Sequence, residues 1–182
     1  MKKSFALLFA LFFVLIITTP GSPASDVSAA QGSAVYVDFD ITQDTVWPGN
    51  NTYYICSAGN KEPMVLNGAT LTIEEGAVVY FADGLSGDLP GTGKRPYESF
   101  TVESGNLIAK GVKFSVVPGR ENRGWAQVEL RGEPGRANNA TFTDCTFEYS
   151  GFFGAGCAIY AVDKTYKGGE QEVNLTVTGC TF

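Results

Sequence analysis

The chain has no histidine, and its four cysteines include no C-x-x-C pair. The first absence removes the usual general base, and with it every Ser-His or Cys-His catalytic arrangement. The second leaves no ligand spacing of the kind zinc sites use. No metal and no cofactor is therefore expected. Basic charge is also scarce: 13 Lys and Arg stand against 19 Asp and Glu, for a formal net charge of −6. A chain without a basic stripe lacks the electrostatic footprint of a nucleic-acid binder. The same acidity disfavours a polyanionic substrate such as pectate unless calcium intervenes. Long apolar runs are missing too. Residues 5–17 form a run of thirteen, about 20 Å of helix against a hydrocarbon core of roughly 30 Å.

That run follows Lys2 and Lys3 and precedes small residues. It reads as a secretory signal peptide over residues 1–30, cleaved after Ala24 or Ala30, with no membrane span left afterwards. Cleavage after Ala30 leaves about 152 residues, one domain's worth, with a net charge near −8. A secreted or cell-surface location is the expectation.

What the sequence does contain is a repeat. The clearest copy is residues 174–182, NLTVTGCTF; it returns as 139–147 (NATFTDCTF), 106–114 (NLIAKGVKF) and, with a longer corner, 70–81 (TLTIEEGAVVYF). The closing phenylalanines stand at 81, 114, 147 and 182, spacings of 33, 33 and 35 residues. Self-similarity at such a period marks a repeat architecture.

Within each copy the apolar residues alternate, skip one place and alternate again: Leu175 and Val177, then Cys180 and Phe182. Alternation signals a strand with one buried face, and a slip of one residue would turn that face outward. A parity break at the same point in every copy therefore means a bend. The bend residues are Gly111, Asp144 and Gly179, types that tolerate positive φ. Four inward columns are expected: Leu71, Leu107, Ala140, Leu175; Ile73, Ala109, Phe142, Val177; Val79, Val112, Cys145, Cys180; and Phe81, Phe114, Phe147, Phe182. Asn106, Asn139 and Asn174 precede the first column and can bond rung to rung as an amide ladder. A third strand per repeat is readable at 99–102, 126–130 and 158–162.

These coils, through L-x-V-x-x-C-x-F and the GAGCAIYA segment (154–161), resemble those of right-handed parallel β-helix proteins, the architecture of pectate lyases and of many bacterial and archaeal surface proteins. The resemblance covers residues 66–182 and implies an all-β, right-handed parallel β-helix of about four coils. It is silent on function, since one fold hosts many sites. An antiparallel β-sandwich is the alternative; it would show hairpins spaced about 8–12 residues apart.

Residues 31–65 do not repeat and are read as an N-terminal cap of strands, with Trp47 laid over the first coil; an aromatic sugar-stacking platform at Trp47 and Tyr53 is the competing reading. Turn-rich loops interrupt the coils at 83–96, 117–124, 132–139, 149–156 and 164–172. Because Phe182 completes a column, the coils are expected to continue past it or to meet a partner there, since an open strand edge is a template for pairing.

Cys145 and Cys180 share a column on adjacent coils, at a separation compatible with a disulfide. In-register stacking aims the sulfurs poorly, so a reduced pair is expected; Cys56 and Cys157 are not assigned. Carboxylate pairs serve as catalysts in glycosidases, but Glu74, Glu75, Glu121 and Glu133 read as solvated surface charge. Glu129 points outward beside Gln127 and Arg131, on the strand corresponding to the cleft-forming face of pectate lyases, and it too is expected to be solvated. That family's calcium-binding aspartate cluster and catalytic arginine motif are missing, so no catalytic residue is assigned. The sequons at Asn50, Asn139 and Asn174 are better explained at the last two positions by the ladder.

Two functions fit: an exported, noncatalytic surface or adhesion module contacting carbohydrate or another cell-surface component, or the N-terminal part of a polysaccharide lyase or glycoside hydrolase. The first is favoured by regular coils and the missing histidine.

Overall fold

The computed structural model describes residues 32–57, 61–82, 87–121, 124–133, 135–151, 157–162 and 172–182. The segment read as a signal peptide, Phe152 and Phe153, the first residues of GAGCAIYA and most of the 164–172 loop lie outside them. Among the described residues there is no helix, and fourteen short strands, numbered in chain order, make three sheets. The first sheet holds β1 (Ala34–Val37), β3 (Thr52–Ile55), β6 (Val78–Phe81), β9 (Lys113–Val116) and β12 (Thr146–Phe147). The second holds β4 (Met64–Val65), β7 (Ser99–Glu103), β10 (Gln127–Arg131) and β13 (Ile159–Val162). The third holds β2 (Thr45–Trp47), β5 (Thr70–Ile73), β8 (Asn106–Lys110), β11 (Asn138–Thr143) and β14 (Val173–Thr178).

From β2 onward the chain visits the third, first and second sheets in turn, and every pairing between named strands is parallel. That is consistent with a parallel β-solenoid and excludes the antiparallel sandwich. The bends behave as their residue types require, with φ of +59° at Gly111, +52° at Asp144 and +66° at Gly179. A Cβ at Gly179 would also require the Asp144 carboxylate to move aside.

The first two columns stand as expected, Leu71–Leu107–Ala140–Leu175 and Ile73–Ala109–Phe142–Val177. The other two shift at their upper end. Val79, not Phe81, pairs with Phe114, and Phe81 pairs with Val116. The corner between β5 and β6 is one residue longer than that between β8 and β9, Ile73 to Val79 against Ala109 to Phe114, and not three residues longer as pairing Phe81 with Phe114 requires. The two-residue difference preserves parity and sets each inward side chain of β6 one inward place further on. Below that point Phe114, Phe147 and Phe182 stack nearly parallel, with centroids 4.9 and 5.0 Å apart, while Phe81 stacks on Trp125 at 4.2 Å.

The pairing also reaches above residue 66. Trp47 pairs with Ile73 and Tyr53 with Val79, so β2, β3 and β4 make a circuit of their own. Residues 40 and 41 cover the edge of β4, and Asp44 extends the pairing of β2 with β5. Ile41 bridges Val65, Asp40 Oδ1 accepts the Met64 N–H at 3.1 Å, and Asp44 Oδ1 accepts the Thr70 N–H at 2.8 Å. Carboxylates there take the place that a neighbouring strand's carbonyls hold elsewhere.

Candidate functional site

The second sheet turns polar side chains outward in registered columns. Met64, Thr101, Glu129 and Tyr160 form one, Ser99 and Gln127 a second, and Glu103, Arg131 and Val162 a third. The inward partners Val102, Val128 and Leu130 are core residues, and alternation along β7 and β10 then places the polar set on one face.

These groups form one network. Arg131 donates through Nε and Nη2 to the two oxygens of Glu129, both at 2.7 Å. Its Nη2 also meets Glu62 Oε1 at 3.0 Å, and Nη1 lies 3.9 Å from Glu103. Glu62 accepts from Thr101 Oγ1 at 2.9 Å and from Ser99 Oγ at 3.1 Å. The two-pronged Glu129 contact is the planar fork that arginine is built to make, and it pushes the guanidinium to hold its proton more firmly than usual. Glu129 is only 7% exposed, which corrects its expected solvation: an outward strand position is dried here by its neighbours' long side chains. Glu98, just before β7, has its carboxyl raised by burial first and by Glu62 second.

One acceptor of the strip is unsatisfied and one ring is exposed. Gln127 donates weakly to Glu129 at 3.4 Å, but its buried Oε1 has no partner. Tyr160, beside Glu129, is 44% exposed. Three carboxylates around one guanidinium leave the strip net negative, suited to neutral or amine-bearing groups and repellent to polyanions. No family model, curated protein or solved structure matches the chain. Any chemistry of the strip therefore follows from its own geometry.

The other carboxylates and aromatics that the sequence singles out do not gather into a site. Glu74, Glu75, Glu121 and Glu133 are exposed, as expected, and Glu75 makes an exposed ion pair with Lys110 at 3.3 Å. Trp47 and Tyr53 are buried and stacked on each other at 4.4 Å; buried rings of this kind form no sugar platform. The asparagine ladder is present, with Asn174 donating to Asn139 at 3.1 Å and Asn139 to Asn106 at 2.7 Å. All four cysteines are free. Burial above all pushes the Cys56 and Cys145 thiols up to about 11, which keeps them protonated and unreactive at neutral pH.

A second aromatic row lies outward on the first sheet, where Tyr36 and Tyr54 stack at 5.3 Å and Tyr80 tilts against Tyr54 at 5.5 Å, packed with Cys56, Leu89 and Val117. Its inner ring faces are taken up by one another, so it presents edges and is a local packing unit. Sequence reasoning passed over Glu62 and Tyr160. Glu62 precedes a strand of two residues, too short to show alternation, while the alternation of Ile159 with Tyr160 could have flagged the latter.

Proposed function

We propose that this chain is an exported, right-handed parallel β-helix that serves as a noncatalytic surface or adhesion module, with the outward strip of the second sheet contacting a neutral or amine-bearing carbohydrate. One observation carries the reading: exposed Tyr160 stands in register beside the Glu129–Arg131 clamp, with the unpartnered Gln127 Oε1 on the same strand as that clamp. A ring face next to fixed acceptors is the combination that holds a sugar, its apolar face on the ring and its hydroxyls on the polar groups. The strip offers further acceptors at Glu62 and Glu103.

The test is binding of the purified chain to a panel of polysaccharides bearing no charge, amines or carboxylates. Neutral or amine-bearing polymers should be retained and polyuronates should not. Tyr160→Ala should weaken retention about tenfold, the loss of one stacking contact of roughly 1–1.5 kcal/mol. Retention unchanged in that variant, or confined to polyuronates, would sink the proposal. The raised carboxyl of Glu98 beside Glu62 favours a second reading, glycoside cleavage, which release of reducing ends from the retained polymer would support.

A further inference from the structure

The outward face of the third sheet differs in kind from the strip. Its central column runs Val46, Thr72, Ile108, Thr141, Thr176. Beside it run Lys110, Thr143, Thr178 on one side and Thr70, Asn106, Asn139, Asn174 on the other. Strands β11 and β14 thus each present the row Asn-x-Thr-x-Thr. Parallel pairing sets the rows about 4.8 Å apart, and alternation sets residues within a row about 6.6 Å apart. The result is a two-dimensional lattice.

Among the described residues, the hydroxyls of Thr72, Thr141, Thr143, Thr176 and Thr178 take no protein partner, whereas Ser99, Thr101 and Ser115 each bond a glutamate. Thr176 and Thr178 are exposed and the other three half-buried. Threonine is stiff at χ1, so stacked copies hold hydroxyl and methyl in one orientation. Lys110 is the single charged side chain among the outward positions of β5, β8, β11 and β14, and none of those positions is aromatic. An ion would need charge and a single sugar chain would be gripped by rings. A lattice of unused hydroxyls and methyls fits a partner that is itself periodic, uncharged and rich in hydrogen bonds.

We infer that this face binds ice. The methyls order the water above them and the hydroxyls and the Asn174–Asn139–Asn106 amides anchor that water in place. Its spacing between rows lies close to an oxygen repeat of hexagonal ice, so the ordered layer merges with a growing crystal surface. Ile108 keeps a β-branched methyl in the column, and Lys110 interrupts the lattice.

The experiment is ice-affinity partition of the fluorescently labelled full chain, together with thermal hysteresis. Wild type is expected to enter growing ice and to shape crystals. Thr143→Lys with Thr176→Lys should abolish both while leaving the β-sheet circular dichroism and thermal midpoint in place. Lys110→Thr, which adds a threonine to the β8 row, should raise hysteresis. Exclusion of folded wild type from ice would overturn the inference. So would a flat response to Lys110→Thr, or retention on crystalline cellulose or chitin that the threonine variants abolish in the absence of any ice activity.

Discussion

Strands β11 and β14 carry nearly the same sequence, in the same register, and fare differently. In β11 the inward Ala140 and Phe142 are 1% and 0% exposed; their partners in β14, Leu175 and Val177, are 41% and 40% exposed. The local pattern is equal, so the strand itself does not confer burial. Strands β8 and β14 flank β11, whereas β14 has a described strand on one side only; the edge strands at the other end still bury Val37, Trp47 and Val65, so the deficit belongs to the β14 end of the stack. Stability in such a stack is a nearest-neighbour quantity, and a position's importance follows its number of neighbours.

The comparison breaks most clearly at its largest side chain. Phe142 packs edge-on against Phe114 and Phe147, and Phe142→Ala should lose about 3–5 kcal/mol in urea unfolding. Val177→Ala should lose about 1 kcal/mol or less, since part of that side chain is already hydrated. Equal losses would mean that the strand carries its own stability. Next comes Asn138, fully buried, whose amide donates to the carbonyls of Val102 and Arg131 and whose partner in β14 is Val173. Copying the β14 residue, Asn138→Val, removes both bonds, and since the Arg131 carbonyl keeps the Ser104 N–H the loss should be about 1–3 kcal/mol; the reverse change, Val173→Asn, should fall within about 1 kcal/mol of wild type by the same unfolding assay.

The amide ladder sharpens the comparison on a smaller scale. Asn139 bonds the rungs above and below it, whereas Asn174 bonds Asn139 and Glu172. Asn139→Ala and Asn174→Ala each remove two bonds and should each cost about 1–2 kcal/mol, each exposed bond being worth roughly 0.5–1; a much smaller loss at Asn174 would mark its local bond to Glu172 as idle. Smallest in energy, but easily read, is the cysteine pair. Cys145 is buried with its thiol raised to about 11, while Cys180 is half-buried. Iodoacetamide at pH 8 should modify Cys180 first, and unfolding should equalise the two rates by mass spectrometry. The sign for stability follows from the raised value: the contribution from neutral Cys145 is complete below the ordinary thiol pKa and is lost as pH rises through about 11.

Much of this was legible in the chain, and the failures have physical causes. Leu107, Ala140 and Leu175 announced their column because alternation and a fixed 35- or 33-residue interval coincide. Phe81 was misplaced because its 33-residue spacing to Phe114 repeats the Phe114–Phe147 interval, whereas β6 and β9 are in 35-residue register. The circuit of β2 to β4 was hidden because Trp47, Tyr53 and Ile55 share no spacing with later copies, although they occupy the same columns. Within the strip, Glu129, Gln127 and Arg131 were found by their shared strand, but their closure was not. That depends on Glu62, which approaches from 37 to 69 residues away through a tertiary contact that periodicity does not encode.

Asp40, which takes up an edge amide of β4, also bears on how the chain avoids sticking to copies of itself. The edge of the second sheet meets a bridge at Ile41 and a carboxylate at Asp40, and Ile41 exchanges backbone bonds with Met64 and Leu66. That edge therefore offers another chain no free run of strand to pair with.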